Sequence, residues 1–451
     1  VFRRVLVANR GEIALRVIRA CAELDIESVA VYSTADHECL HTRRATAKVR
    51  IGPPDARRSY LSIPSIIAAA KNTGCDAVHP GYGFLAENAA FAEACAANGL
   101  VFIGPSPETI RSLGDKALAR QIMADAGLPT VPGSPGAVSG VREAADCAEL
   151  LGYPVMLKAS AGGGGRGMRV ARTAEELEHQ FLAAAGEADA CFGSTDIYVE
   201  KLIAEPHHVE VQILGDGRGR VATFPERDCS VQRRHQKVLE ETPSPLLDLP
   251  TRHEIRRLAH DACAAIRYAS AGTVEFIVDA DQRFYFMEMN TRIQVEHPVT
   301  EVVSGTDLVR EQIRIAAGEP IATGEVQPCT GHAMEFRINA EDPRDNFAPR
   351  AGVVTRLILP GGPGVRVDTH LYEGYKVPAF YDSLLAKVIV WDVDRGSCIA
   401  RGVRALEEFV LEGVPTTVDL HLAILRHPSF VEGRYSTAFL DDLPGLVPAA
   451  S

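Results

Sequence analysis

Nowhere in the 451-residue chain do eighteen apolar residues run together, which argues against a membrane-spanning helix. No Cys-x-x-Cys pair and no close Cys/His spacing of the structural zinc kind occurs; the ten cysteines are scattered, as suits a reducing compartment. A soluble cytoplasmic protein without membrane attachment is expected. Positive charge is in deficit, with 47 Lys and Arg against 59 Asp and Glu and a net charge of -12. A phosphate backbone demands a basic face, so nucleic acid is argued against as the main ligand, and local basic clusters are expected to hold small anions. Two phosphate motifs are missing as well. The first turn, Asn9-Arg-Gly11, has one glycine and lacks the dinucleotide fingerprint, and no Gly-Lys-Ser/Thr follows any glycine run.

With 46% apolar residues the chain can build two to four domains. It opens as strand and helix in turn: Val5 to Ala8, helix Glu12 to Leu24, strand Ser28 to Tyr32, helix Ile63 to Thr73, strand Ala77 to His79, helix Asn88 to Asn98 and strand Val101 to Ile103. This predicts a doubly wound α/β domain closing near Pro105. The loop His79-Pro-Gly-Tyr82-Gly-Phe-Leu-Ala-Glu87 follows a strand, at the usual ligand edge, and offers Tyr82 and Glu87 as site walls. The Pro- and Gly-rich stretch Leu128 to Gly136 reads as a linker. A compact segment reaches to about Leu202, a central region spans 207–318, and a strand-rich domain follows from His332.

The most informative segment is Phe284 to Pro298. Period-two alternation would place Glu288, Asn290, Arg292, Gln294 and Glu296 on one face of an extended chain, backed by Tyr285, Met287, Met289, Ile293 and Val295. An upstream hairpin around Asp279 to Gln282 brings Glu275 and Glu288 close. Two adjacent carboxylates repel unless a cation lies between them. Oxygen ligands with the carboxamide of Asn290 suit magnesium or manganese, which complete their shell with substrate phosphates. A nucleoside triphosphate is the expected partner.

Strand Pro154 to Lys158 leads into Gly162-Gly-Gly-Gly165-Arg-Gly167-Met168, which satisfies the letters of G-x-G-x-x-G. The run is followed by a strand-like segment and no helix, so it reads instead as a glycine flap closing over phosphates, with Lys158 as a point charge. Lys116 opens a helix through Ala126. The cluster Arg227 to Lys237, if extended, alternates Arg233, His235 and Lys237 on one side and suits an anion.

Together Asn9-Arg-Gly-Glu12-Ile-Ala14, His79 to Phe84, Gly114-Asp-Lys116, Lys158 with Gly162 to Met168, Arg227 to Lys237, Glu288 to Pro298 and Phe336-Arg337-Ile-Asn-Ala-Glu341 closely resemble the biotin carboxylase family of ATP-grasp ligases. The resemblance spans essentially the whole chain. It implies an α/β and α+β architecture: a Rossmann-like domain over 1–113, an ATP-grasp domain over 114–330 with a mobile glycine-rich lid at 131–203, and a C-terminal strand-rich domain over 331–451. It implies ATP contacts from Lys116, Lys158, Gly163, Gly164, Gly165, Met168, His208, Gln232, His235, Ile277, Glu275 and Glu288, with Glu200, Lys201, Leu202 and Ile203 at the adenine.

Glu275, Glu288 and Asn290 would carry magnesium or manganese. Lys237, Arg292, Gln294 and Val295 would hold bicarbonate, Glu296 would be the general base, Arg337 would steady the biotin enolate, and Tyr82 would lie near biotin. The implied reaction is ATP-dependent carboxylation of biotin through carboxyphosphate, the first half-reaction of an acetyl-CoA or acyl-CoA carboxylase in fatty acid biosynthesis. The alternatives are a pyruvate or urea carboxylase domain, another ATP-grasp ligase such as a carbamoyl-phosphate synthetase half, and a regulatory ATP-binding protein without catalysis. Leu202 and Ala438 depart from residues frequent in the family, and His41 to Lys48 is more basic than its usual version. No Met-Lys dipeptide occurs, so biotin is expected on a biotin carboxyl carrier protein or a further segment, with a carboxyltransferase using the product. A homodimer is implied too, with Arg16, Arg19 and Arg366 at its interface.

Overall fold

The structure, a computed structural model, describes residues 2–159, 168–192 and 195–441. The opening alternation forms a five-stranded parallel sheet in the order Ala47–Gly52, Glu27–Ser33, Arg4–Val7, Ala77–His79, Val101–Phe102. The middles of the central strands, Val5 to Val7, Val29 to Val31 and Ala77 to Val78, are apolar and buried because helices cover both faces, one packing Leu6, Val29, Ile66 and Phe91, the other Val5, Val17, Ile103 and Ile313. Strand Ala47–Gly52, where no element was predicted, forms an edge with Lys48 and Arg50 exposed.

Strand order reverses between Arg4–Val7 and Ala77–His79, so the loops after these strands meet at the switch point. Asn9 ties them together, its Nδ2 donating to the carbonyls of Pro80 at 2.6 Å and Tyr82 at 2.7 Å. Gly81 is required there: its φ is +63° and a Cβ would stand 2.9 Å from that nitrogen.

The central and C-terminal regions share one antiparallel sheet. Its path runs Phe284–Asn290, Ala269–Val278, His207–Asp216, Arg227–Arg233, Gln236–Thr242, His332–Asn339, Leu384–Asp392, Val365–Thr369, with Val221–Thr223 beside His207–Asp216. Leu239 pairs with Phe336 and Thr242 with Ala333, so the sheet continues across the sequence position where a C-terminal domain is expected to begin. A three-stranded sheet, Met168–Ala171, Val155–Ala159, Ile197–Lys201, is covered by helices Val141–Leu151 and Ala174–Phe192 around Leu157, Phe181 and Val199. Gly163, Gly164 and Gly165 lie outside the described residues. Among the described residues no helix is long and apolar enough to cross a membrane, and every cysteine is free.

Candidate active site

Strands Ala269–Val278 and Phe284–Asn290 form the anticipated hairpin, and its register sets Glu275 directly opposite Glu288 and Thr273 opposite Asn290. A bulge beside Glu275 pairs Phe276 with Phe286, and Met287, expected in the apolar backing, lines the cleft. The extended run expected to reach Pro298 ends at Asn290, because Pro298 starts the helix His297–Ser304. A bend at 291–296, not strand alternation, gathers Arg292, Gln294 and Glu296.

The basic cluster also departs from one extended face. Strands Arg227–Arg233 and Gln236–Thr242 are joined by a two-residue turn at Arg234 and His235, with φ of 49° and 63°, which sets Lys237 opposite Gln232. Lys237 therefore points into the sheet, while Arg233 donates to Asn346 at 2.7 Å and His235 is exposed at the cleft.

Lys237 is the centre of charge. Its Nζ donates to Glu296 at 2.6 Å, Glu210 at 2.7 Å and Glu275 at 3.1 Å. Burial opposes its charge, but these carboxylates outweigh it and hold the ammonium well above its ordinary range. Burial likewise raises Glu210, yet Arg227 and Lys237 bring it down to about 2. Glu296 also ends below the usual carboxylate range: against burial stand Lys237, Arg337 and Arg227. An ionised Glu296 is the form able to take a proton. Arg337 Nη2 reaches Glu296 Oε2 at 2.8 Å and its Nε reaches Glu240 at 2.6 Å. Burial lifts Glu240 to about 7, with Arg337 opposing and Glu296 adding.

Arg292 donates to Glu87 at 2.9 Å and to the Asn290 oxygen at 3.0 Å; the Asn290 amide donates to Glu275 at 2.7 Å. Gln294 donates to Glu275 at 2.6 Å and accepts from Arg227 at 2.7 Å. His208 Nε2 lies 2.9 Å from Glu275 Oε2 without the angle of a hydrogen bond, while Gln232 Nε2 reaches its Nδ1 at 3.2 Å. Arg292, Asn290, Gln294, Glu275, His208 and Gln232 line one cleft of about 1320 Å³, together with Lys116, Lys158, Met168, Glu200, Ile277, Val295 and Tyr82, whereas Glu87, expected as a site wall, does not line it and instead holds Arg292. Lys116 stands 3.1 Å from Glu288, and Lys158 2.5 Å from Glu200. Lys201, Leu202 and Ile203 do not line it; Lys201 turns to the Gly152 carbonyl at 2.7 Å.

The residues fit a divalent ion bound with a nucleotide. Glu275 and Glu288 oppose each other at the cleft wall, Asn290 adjoins Glu275, and the neighbouring lysines suit phosphates. The carboxylates of Glu210 and Glu275 also lie close enough, with His208, to share a metal ion, but the Lys237 ammonium already bridges them.

Three family models match the chain: biotin carboxylase N-terminal domain over 1–110, carbamoyl-phosphate synthase L chain ATP binding domain over 115–323, and biotin carboxylase C-terminal domain over 335–442. Biotin carboxylase of a Nostoc species is 53% identical over 443 residues, covering 98% of this chain and 99% of the relative. The chain belongs to the biotin carboxylase family. Biotin carboxylase 1 of Bacillus subtilis is 52% identical over 97% of this chain and 98% of its own. A pyruvate carboxylase component of Methanothermobacter thermautotrophicus is 48% identical, over 98% and 90%. Among solved structures, Campylobacter jejuni biotin carboxylase in complex with a β,γ-ATP ligand gives a TM-score of 0.93 at 46% identity, over 98% of this chain and 99% of the other. The biotin carboxylase domain dimer of Hydrogenobacter thermophilus 2-oxoglutarate carboxylase, with MgADP, ADP and bicarbonate, gives 0.92 at 47%, over 100% and 99%.

The cleft is also braced by residues to which the sequence assigned no role. Arg227, fully buried, donates to Glu210, Gln212, Thr300, Thr273 and Gln294 and so braces both strands and the bend. Glu210 shared a strand face with His208 and Gln212, and that alternation was its one signal. Glu240 and Lys387 gave none, because both read as ordinary strand charges.

Proposed function

We propose that the chain carboxylates biotin on a biotin carboxyl carrier protein, using ATP, magnesium and bicarbonate, as the first half-reaction of an acyl-CoA carboxylase. The observation that carries this is Glu296 held ionised between Lys237 and Arg337, in the same cleft as the opposed pair Glu275 and Glu288. The solved relative with MgADP and bicarbonate supports the ligand set.

In this reading Glu275, Glu288 and Asn290 hold the magnesium ion, which when bound neutralises phosphate charge. Lys116, Lys158, Met168, the glycine run, His208, Gln232, His235 and Ile277 hold the nucleotide, with Glu200 at the adenine. Lys237, Arg292, Gln294 and the Val295 backbone place bicarbonate, a weak nucleophile that gains from fixed orientation. Glu296 takes its proton. Arg337, close to Tyr82 at the cleft, supplies positive charge where the ureido enolate of biotin forms. A carboxyltransferase consumes carboxybiotin, and the setting is cytoplasmic.

We also propose a homodimer; the solved relative described as a dimer supports it. Arg19 is exposed, whereas Arg16 and Arg366 both pair with Glu301 inside the protomer, at 2.9 and 2.7 Å. A second reading, in which the final acceptor is a keto acid, is supported by the likeness to the Methanothermobacter pyruvate carboxylase component.

The test is phosphate release from ATP with and without bicarbonate and free biotin, together with formation of carboxybiotin. Release that ignores both additions would sink the proposal. Carboxyl transfer to acetyl-CoA or to pyruvate by the matching carboxyltransferase separates the two acceptors, and sedimentation equilibrium reads the dimer.

A further inference from the structure

Behind the cleft a buried lysine reaches from strand Leu384–Asp392 to the backbone of the 291–296 bend. Lys387 is 0% exposed; its Nζ donates to the Val295 carbonyl at 2.9 Å and lies 3.3 Å from Glu12 Oε1. Glu12, in the first turn of helix Gly11–Glu23, is buried too and accepts the Tyr82 hydroxyl. On its sheet Lys387 pairs across strands with Arg337 on one side and Asp368 on the other. Asp368 is held by Arg366, and Glu335, fully buried, adds a further carboxyl nearby. The first domain and the C-terminal part of the large sheet thus meet at one carbonyl, one residue before Glu296.

A fully buried ammonium is an expensive way to fill space, and an apolar side chain of the same length would pack there at less cost. What the ammonium does that methionine would not is grip a main-chain oxygen. The peptide joining Val295 to Glu296 is planar, so displacing that oxygen swings the Glu296 backbone as well. Glu296 must meet Lys237 at 2.6 Å and Arg337 at 2.8 Å together, which leaves little room for such movement.

We propose that Lys387, paired with Glu12, is a positioning residue that fixes the Val295 carbonyl and through it the Glu296 carboxylate. This rests on the reading of Glu296 as the base. It gives a role to the Asn9-Arg-Gly-Glu12 motif, which otherwise belongs to a scaffold.

Lys387→Met strands the Glu12 charge and is expected to lose stability. The double variant Glu12→Gln/Lys387→Met removes both charges and is expected to melt within about 5 °C of wild type, since little net burial changes. In that folded variant ATP binding stays intact, bicarbonate-dependent phosphate release falls about tenfold or more, and KM for bicarbonate rises, as a misplacement of about 1 Å would cause. Amides of 291–297 exchange faster while those of 269–278 do not. Turnover and bicarbonate KM both within about twofold of wild type, or unchanged exchange at 291–297, overturn the proposal. Exchange needs no turnover, so wild-type protein that ignores bicarbonate would sink the functional reading while exchange still decides the positioning.

Discussion

Arg337 and Glu296, 41 residues apart, meet at 2.8 Å, and the same guanidinium holds Glu240. The cation suited to an anionic ureido ring is therefore engaged by two buried carboxylates. Charge on one side chain couples the proposed base to the proposed biotin pocket.

Arg337→Lys keeps the charge and loses the forked geometry, so biotin carboxylation should fall about 100-fold or more while bicarbonate-dependent phosphate release falls much less. Parallel assays of carboxybiotin and phosphate check this. Equal losses in both would remove Arg337 from the biotin step.

Glu296→Gln should lower bicarbonate-dependent phosphate release by roughly 100-fold to 10,000-fold, with nucleotide affinity kept. Phosphate assays and equilibrium ATP binding give the two numbers. Unaltered turnover would refute the base assignment.

Glu288 is partly exposed and pairs with Lys116, so Glu288→Gln should leave the fold intact. Half-saturation by magnesium should shift upward by about tenfold or more, a loss of about 1.4 kcal/mol in metal affinity. Chelation by EDTA should stop wild-type phosphate release outright. A magnesium titration that superposes on wild type would take Glu288 out of the metal site.

Glu241, fully buried, is raised by burial but held by His332 and Arg395 from its ordinary 4.5 down to about 2. A depressed carboxylate contributes stability fully above its unfolded pKa and loses it as pH falls through the folded value. Urea denaturation should therefore show stability dropping between about pH 4.5 and pH 2. Glu241→Gln should cost about 3 kcal/mol at neutral pH and flatten that limb. A variant retaining the wild-type acid slope would assign the slope to other groups.

Local signals were legible where one period or one cap decides. The alternation of the first hundred residues marked a doubly wound sheet, and two apolar runs around Asp279 to Gln282 marked the Glu275 and Glu288 hairpin. The turn at Arg234 and His235 was not legible. Both residues adopt left-handed backbone that Asn-Gly would advertise and Arg-His does not, so the hairpin passed for a single strand. The stop at Asn290 was missed because Thr291 and Ile293 suit a strand as well as a bend, and only Pro298 hinted at the helix.

By itself the sequence determined the chemistry available: opposed carboxylates on a hairpin, a base-like glutamate two residues before a proline, and a family resemblance strong enough to name the substrates. Only the tertiary structure decided which charges meet. Lys237 serving three carboxylates, Arg227 bracing the bend and Lys387 gripping Val295 come from strands and helices far apart in the chain. Periodicity reports which way a side chain faces along its own strand; sheet order and register, fixed by burying apolar faces together, set what it faces.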